Sequence, residues 1–140
     1  MTRRLEDVAV GEELPTLEKV VTREDIEAYA EASGDRNPLH RDDEVARALG
    51  FPGVIAHGMF TMAHMASCVT RWLGGAEGVT RLRAQFRAPV LMGETIAAGG
   101  RVRSVDAGTR SAVLDLWVTL ERDGQTEYPI RRGEAEVRLA

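Results

Sequence analysis

The segment 57–73 constrains the fold of this chain more than any other stretch of its 140 residues. Its residues are apolar nearly all the way round a helix, and a helix without a polar face belongs inside a protein. At a rise of about 1.5 Å per residue, this helix would be about 25 Å long, enough to cross a small domain. We therefore expect a buried central helix, which ends at Gly74-Gly75.

Beyond this helix the apolar residues recur with a period of two, which predicts strands. Asp123-Gly124 is a tight-hairpin signal, and Gly99-Gly100 suggests a bulge or sharp bend within a strand. The first half of the chain is instead predicted to be helical and rich in loops. The pattern indicates an α+β fold with a curved antiparallel sheet, its strands predicted at 81–88, 94–105, Ser111–Arg122 and about 128–139.

Two short helices are predicted ahead of the central one. Thr22, with Asp25 three residues later, is a helix-start signature, and Gly34 is placed to end that helix. The second short helix is expected to begin at Asp42 and to stop at Gly50. The loop between the two helices therefore has fixed ends.

Composition and charge narrow the class of protein. The length fits one domain over residues 1–140, and 44% apolar with 29% charged residues fits a soluble globular protein. A net charge of −4 argues against a nucleic-acid binder. A single cysteine, Cys68, rules out an internal disulfide, and no zinc-ligand spacing is present.

The N-terminal residues and the most apolar segment bear on location. The N-terminus turns acidic at once and has no apolar signal region. The segment 54–73 contains His57, His64 and Arg71, which makes a membrane span a poor interpretation. We expect a cytoplasmic protein.

The loop between the two short helices carries a candidate acid/base pair. Asp35 and His40 lie five residues apart across the sequence Asp-Arg-Asn-Pro-Leu-His, behind Ser33-Gly34. A carboxylate and an imidazole held this way can bind one water molecule and move one proton. The alternative is ordinary turn chemistry, in which Asp and Asn bond local backbone and His40 caps the next helix. The combination with a second motif at the central helix favours catalysis.

That second motif is Gly58, whose backbone N–H is expected at the start of the central helix. A helix N-terminus can stabilise a developing oxyanion, and glycine permits close approach; the alternative is that Gly58 only allows tight packing. Asn37, His57 and Met59 are predicted to contact the substrate. Within that set, Asn37 is expected to hold the loop, and His57 to pack or bond locally. Met59 either lines an acyl tunnel or belongs to the core.

Three motifs in this order resemble one family. They are Ser33-Gly34-Asp35-Arg36-Asn37-Pro38-Leu39-His40, Ile55-Ala56-His57-Gly58-Met59, and Phe86-Arg87-Ala88-Pro89-Val90 followed by Gly93-Glu94. Together they resemble the MaoC-like, R-specific enoyl-thioester hydratases and dehydratases. In length and in its central helix the chain is most similar to the catalytic subunit of heterodimeric (3R)-hydroxyacyl-ACP dehydratases.

The resemblance implies a hot-dog fold, in which the curved sheet wraps around the central helix. It also implies a lyase that hydrates (2E)-enoyl or dehydrates (3R)-hydroxyacyl thioesters of CoA or acyl carrier protein, with no metal and no organic cofactor. It implies a dimer, either of this chain or with a related hot-dog subunit. Two alternatives remain: a hot-dog acyl-thioesterase, and a partner subunit without catalysis. No nucleic acid or membrane partner is expected.

Overall fold

The computed structural model describes residues 2–140, which form five antiparallel strands and three α-helices. There are also two short 3-10 helices among these residues: Leu5–Asp7 precedes β1, and Pro38–His40 lies between α1 and α2. The sheet has the strand order β1-β3-β4-β5-β2. The elements are β1 Glu13–Val20, α1 Arg23–Ser33, α2 Asp43–Ala48, α3 Gly58–Leu73, β2 Val79–Arg83, β3 Thr95–Asp106, β4 Ser111–Arg122 and β5 Gln125–Arg138.

The long helix α3 lies against the sheet, as expected from its apolar sequence. It packs against β1, β3, β4 and β5, and Met65 and Leu73 are fully buried. Gly133 leaves room for this contact, because a Cβ there would lie 2.6 Å from the Met65 sulfur. The helix is not buried all round, however: Met59 is 54% exposed and Ala63 is exposed too. One apolar flank of α3 is therefore open to solvent in the single chain.

Strand β1 corrects the prediction that the first half contains only helices and loops. It is an edge strand paired with β3, and a register shift lies between Leu14 and Leu17. Pro15 lies inside that irregular stretch. A bulge breaks the period of two on which strand prediction depends, so the pattern could not be read from the sequence.

The predicted strand 81–88 is shorter than expected. The ladder between β2 and β5 ends at Arg83, and beyond it Phe86 makes only an isolated bridge with Ile130. β4 has the predicted bounds, while β3 and β5 begin and end within a few residues of the predicted ones. The segment that follows β2 therefore leaves the regular sheet.

Gly99-Gly100 lies opposite the register shift of β1, but it introduces no bulge on the side of β4. The pairing of β3 with β4 runs without a shift from Ala97 to Val102. Both glycines serve close packing instead, because a Cβ would lie 2.5 Å from the Trp117 indole nitrogen at Gly99 and 2.7 Å from the Leu116 side chain at Gly100. These positions exclude a side chain.

Helix α1 begins and ends as predicted, which fixes the start of the next loop. Thr22 and Asp25 form a reciprocal capping box, and Gly34 closes the helix in the left-handed conformation at φ 78°. Within residues 2–140, no helix combines the length and the apolar character that a membrane crossing needs. The cytoplasmic location stays a prediction.

Candidate active site

The loop after α1 is shaped by its own polar side chains. The Ser33 hydroxyl accepts from the Asp35 N–H at 3.1 Å, and an Asp35 carboxylate oxygen accepts from the Asn37 N–H at 3.2 Å. The Asn37 side chain in turn accepts from the Leu39 N–H at 3.0 Å. The turn chemistry weighed as an alternative is thus present, and it fixes where Asp35 and His40 lie. Asn37 is exposed and holds the loop; its contact with substrate stays a prediction.

His40 is half-buried with one ring nitrogen already bonded. Its Nδ1 lies 2.8 Å from the carbonyl oxygen of Ile55. Because a carbonyl oxygen only accepts, Nδ1 must carry the hydrogen. In the neutral ring this leaves the lone pair on Nε2, which is the atom able to take a proton and give it back.

His57 lies between the loop and the central helix. It is 2% exposed, and its Nε2 lies 2.9 Å from the backbone carbonyl oxygen of Asp35. Its ring stacks on that of His40, with 4.0 Å between centroids and 23° between planes. Ligand atoms of Asp35, His40 and His57 all lie within 4.8 Å of one another. The fold thus brings together the two residues that the spacing predicted and adds a third.

Asp35, His40 and His57 also have the composition of a metal site. Two of the four imidazole nitrogens are engaged by backbone carbonyls, however. The lone pairs on the other two lie in the planes of rings stacked 23° from parallel, so they do not converge on one point. Metal binding would require one ring to turn. The expectation that no metal is needed stays a prediction.

Gly58 is the first residue of α3, where its N–H has no partner inside the helix. His57 precedes it at the N-cap position and makes no side-chain cap bond. Within residues 2–140, no acceptor is bonded to the Gly58 N–H. A free N–H at the positive end of a 16-residue helix is suited to an oxyanion.

Two cavities meet at Gly58. One, of about 330 Å³, is lined by His40, Gly58 and Phe86 together with apolar residues that include Ile55 and Val90. The other, of about 310 Å³, is lined by Tyr29, Ser33, Asp35, His57, Gly58, Met59 and Phe86. His40 lines the first cavity and Asp35 the second, and the two cavities adjoin at Gly58 and Phe86, with ligand atoms of Asp35 and His40 within 4.8 Å of each other. Met59 has the placement expected of an acyl contact, although that role stays a prediction.

Sequence reasoning missed the importance of Phe86. The alternating pattern placed Phe86 on the apolar face of a strand, yet Phe86 lies beyond the end of β2 and is 48% exposed. The ring lies against Gly58 between the two cavities. The signal that could have found it was Pro89, three residues on, which weakens any regular strand at this point.

Pro89 and Val90, which line the cavity of about 330 Å³, are held in place by an ion pair that the sequence did not reveal. The Arg122 guanidinium donates to both carboxylate oxygens of Glu94, at 2.9 and 2.6 Å, and to the Pro89 carbonyl at 2.9 Å. Glu94 also accepts from the Leu91 N–H at 2.7 Å. The bond to Glu94 raises the pKa of Arg122 further above its usual range. The Gly-Glu motif at 93–94 thus fixes a wall of the site.

Comparison with known proteins identifies the family. The model of the MaoC like domain matches residues 7–122, and this chain belongs to that family. The hot-dog arrangement of sheet and helix is confirmed by a solved structure, the (R)-hydratase from A. caviae involved in PHA biosynthesis. It superposes with a TM-score of 0.86 at 25% identity, over 96% of this chain and 99% of that one.

Two curated relatives have names that describe their reactions. 3-Hydroxyacyl-thioester dehydratase Y of Mycobacterium tuberculosis is 43% identical over 118 residues, covering 76% of this chain and 40% of that protein. 3-Hydroxybutyryl-CoA dehydratase of Methylorubrum extorquens is 34% identical over 110 residues, covering 78% of this chain and 69% of that protein. The chain spans less than half the length of several relatives that it matches.

Proposed function

We propose that this chain is a hydro-lyase that interconverts (2E)-enoyl and (3R)-hydroxyacyl thioesters of CoA or acyl carrier protein. The observation that carries the proposal is the bond from His40 Nδ1 to the Ile55 carbonyl. It leaves Nε2 as the proton-accepting atom of a ring that has a ligand atom within 4.8 Å of one from Asp35, and that lines a cavity together with Gly58. The names of the relatives support the same class of reaction.

The spacing of the pair suits one water molecule. Ligand atoms of Asp35 and His40 lie within 4.8 Å of each other, and one water can bridge such a gap with two hydrogen bonds of about 2.8 Å. In hydration, the pair would take a proton from this water as its oxygen attacks the β-carbon, and would deliver a proton to the α-carbon. The two groups act as a coupled pair, so neither is assigned as the sole base.

Attack at the β-carbon moves negative charge onto the thioester oxygen as an enolate. The Gly58 N–H, with the dipole of α3 behind it, is the proposed donor to that oxygen. Met59 and the apolar walls of the two cavities would hold the acyl chain, with Asn37 and His57 keeping the loop in place. All these groups belong to the chain itself, so no metal or organic cofactor is proposed.

The test is hydration of crotonyl-CoA, followed by the loss of its conjugated-enoyl absorbance. Activity is expected from the purified chain, alone or with a related hot-dog subunit, and should persist after treatment with a chelator. Release of free thiol without hydration would favour the thioesterase alternative. Against that alternative, the segment 54–73 has no Asp or Glu at the central helix to act as the carboxylate.

Pairing with a second hot-dog subunit is the second part of the proposal. β2 is an edge strand, hydrogen-bonded to β5 on one side only, and Met59 and Phe86 expose apolar surface. An open sheet edge beside apolar side chains favours association. Light scattering at micromolar concentration should give twice the 15.3 kDa of one chain, or a complex with a related subunit. A fully active monomer would contradict the pairing, but not the chemistry.

A further inference from the structure

His57 contacts both members of the proposed acid/base pair. Its Nε2 must donate to the Asp35 carbonyl at 2.9 Å, since the carbonyl can only accept. Its ring stacks on His40 at 4.0 Å and touches the Tyr29 ring at 4.9 Å. One buried side chain therefore fixes the backbone of one partner and the ring plane of the other.

We propose that His57 is a positioning residue, which acts on the reaction through Asp35 and His40. This inference rests on the proposed function of that pair. The hydrogen bond from His57 to the Asp35 carbonyl fixes the position of the Asp35 loop relative to the start of α3. The His57 ring, stacked on the His40 ring, limits how far that ring can rotate while its Nδ1 stays hydrogen-bonded to Ile55. Placement matters because an error of about 1 Å in a catalytic group can cost about 10²-fold in rate.

The other ring nitrogen argues against a purely structural role. His57 Nδ1 is buried and has no hydrogen-bond partner among residues 2–140. Leaving a buried polar atom unpartnered costs free energy, so an apolar ring would fill this place at lower cost. The imidazole supplies what an apolar ring cannot, namely the N–H that holds Asp35.

Two substitutions separate the two contacts. His57→Phe keeps an aromatic ring to stack on His40 and removes the donor to Asp35. His57→Gln keeps a donor near the position of Nε2 and removes the ring. Each is expected to lower kcat for crotonyl-CoA hydration about 10- to 100-fold with KM changed less than about threefold, and His57→Leu, which loses both contacts, should be worse than either.

The matched control is His64, a second buried histidine, which lies inside α3. Its Nε2 donates to the Leu17 carbonyl at 2.8 Å, away from the proposed pair. His64→Gln is expected to lower stability while the folded fraction keeps wild-type kcat. A positioning role also predicts that Asp35→Asn combined with His57→Phe is scarcely slower than Asp35→Asn alone, because both changes disable one unit.

A readout without activity comes from the imidazole tautomers in long-range ¹H–¹⁵N spectra. The wild type should show the His57 proton on Nε2 and the His40 proton on Nδ1. In His57→Gln, the His40 proton should no longer be confined to Nδ1. Wild-type kcat in both His57→Phe and His57→Gln, or a His57 proton on Nδ1, would overturn the inference. Full hydration by Asp35→Asn would instead refute the proposed function itself.

Discussion

The phenyl ring of Phe86 lies over the α-carbon of Gly58, so that a Cβ at position 58 would be 3.4 Å from three ring atoms. The ring thus lies against the residue whose N–H is proposed to meet the thioester oxygen. It also lines both the cavity that His40 lines and the cavity that Asp35 lines. Because Phe86 is 48% exposed, turning the ring away breaks few packing contacts.

Phe86→Ala is expected to join the two cavities and to favour longer acyl chains. Each methylene that enters apolar surroundings is worth about 0.8 kcal/mol, or about fourfold. Room for one or two further methylenes of the longer chain should therefore raise kcat/KM for octenoyl-CoA relative to crotonyl-CoA about 4- to 15-fold. Steady-state kinetics with both thioesters gives the ratio. Tyr128→Ala, which removes an exposed aromatic ring outside both cavities, serves as the control. An unchanged ratio would mean that Phe86 does not limit the acyl site.

Gly58→Pro tests the oxyanion donor directly. Proline is well tolerated at the first position of a helix, and the preceding His57, at φ −61° and ψ 138°, already has the conformation that proline requires. The substitution removes the N–H, and loss of one such donor typically lowers kcat about 10²- to 10³-fold. Gly58→Ala is the matched control, because it adds a Cβ and keeps the N–H. Equal kcat values for the two variants would refute the role of this N–H.

Asp35→Asn and His40→Ala should each lower kcat about 10²- to 10⁴-fold, the usual contribution of general acid–base catalysis. Asp35 is exposed and Asn can still accept from the Asn37 N–H, so folding should be preserved. The double variant is expected to be scarcely slower than either single one, because the two groups act on one water. Circular dichroism checks the fold. If the loss of kcat in the double variant equalled the product of the two single losses, the two residues would be acting independently.

The buried His64 side chain should make the free energy of unfolding depend on pH. Burial lowers the pKa of His64 below its ordinary value of 6.5, and the hydrogen bond to the Leu17 carbonyl only partly offsets this effect. Nearby Lys19 and Arg71 lower it further. The unfolded chain therefore binds the proton more readily than the folded one. The free energy of unfolding should fall as the pH drops below about 6.5 towards the folded pKa, and level off beneath that.

Urea unfolding at pH 7.5 and pH 5.5 measures this loss. All other titratable groups, His40 and His57 included, are present in both proteins compared. His64→Gln should show a smaller loss of stability between the two pH values than the wild type. A loss of the same size in His64→Gln would assign the effect to other groups.

The sequence predicted the elements whose local patterns are undisturbed. The capping box at Thr22, the apolar run of α3 and the alternation of β4 all have the expected bounds or nearly so. The prediction failed where tertiary contacts override the local pattern. The bulge in β1 hid a strand, and Gly99 and Gly100 lie where a Cβ would meet the side chains of Trp117 and Leu116.

The candidate site likewise has features that the local sequence predicts and features that depend on tertiary contacts. Asp35, His40 and Gly58 could be predicted because spacing and a helix start are local properties. The bonds that orient them run from His40 to Ile55, from His57 to Asp35 and from Arg122 to Glu94. These partners are 15 to 28 residues apart in the chain, so no local pattern encodes their contact. The placement of Phe86 over Gly58 likewise depends on the end of β2, where the regular ladder stops.

The stereochemistry of hydration tests the central claim most directly. Asp35 and His40 lie on one loop and would present their water to one face of an enoyl thioester held at Gly58. Crotonyl-CoA hydrated by the protein, followed by chiral analysis of the product, should give (3R)-hydroxybutyryl-CoA in excess over its enantiomer. A (3S) product, or a racemic one, would contradict the assignment of this pair.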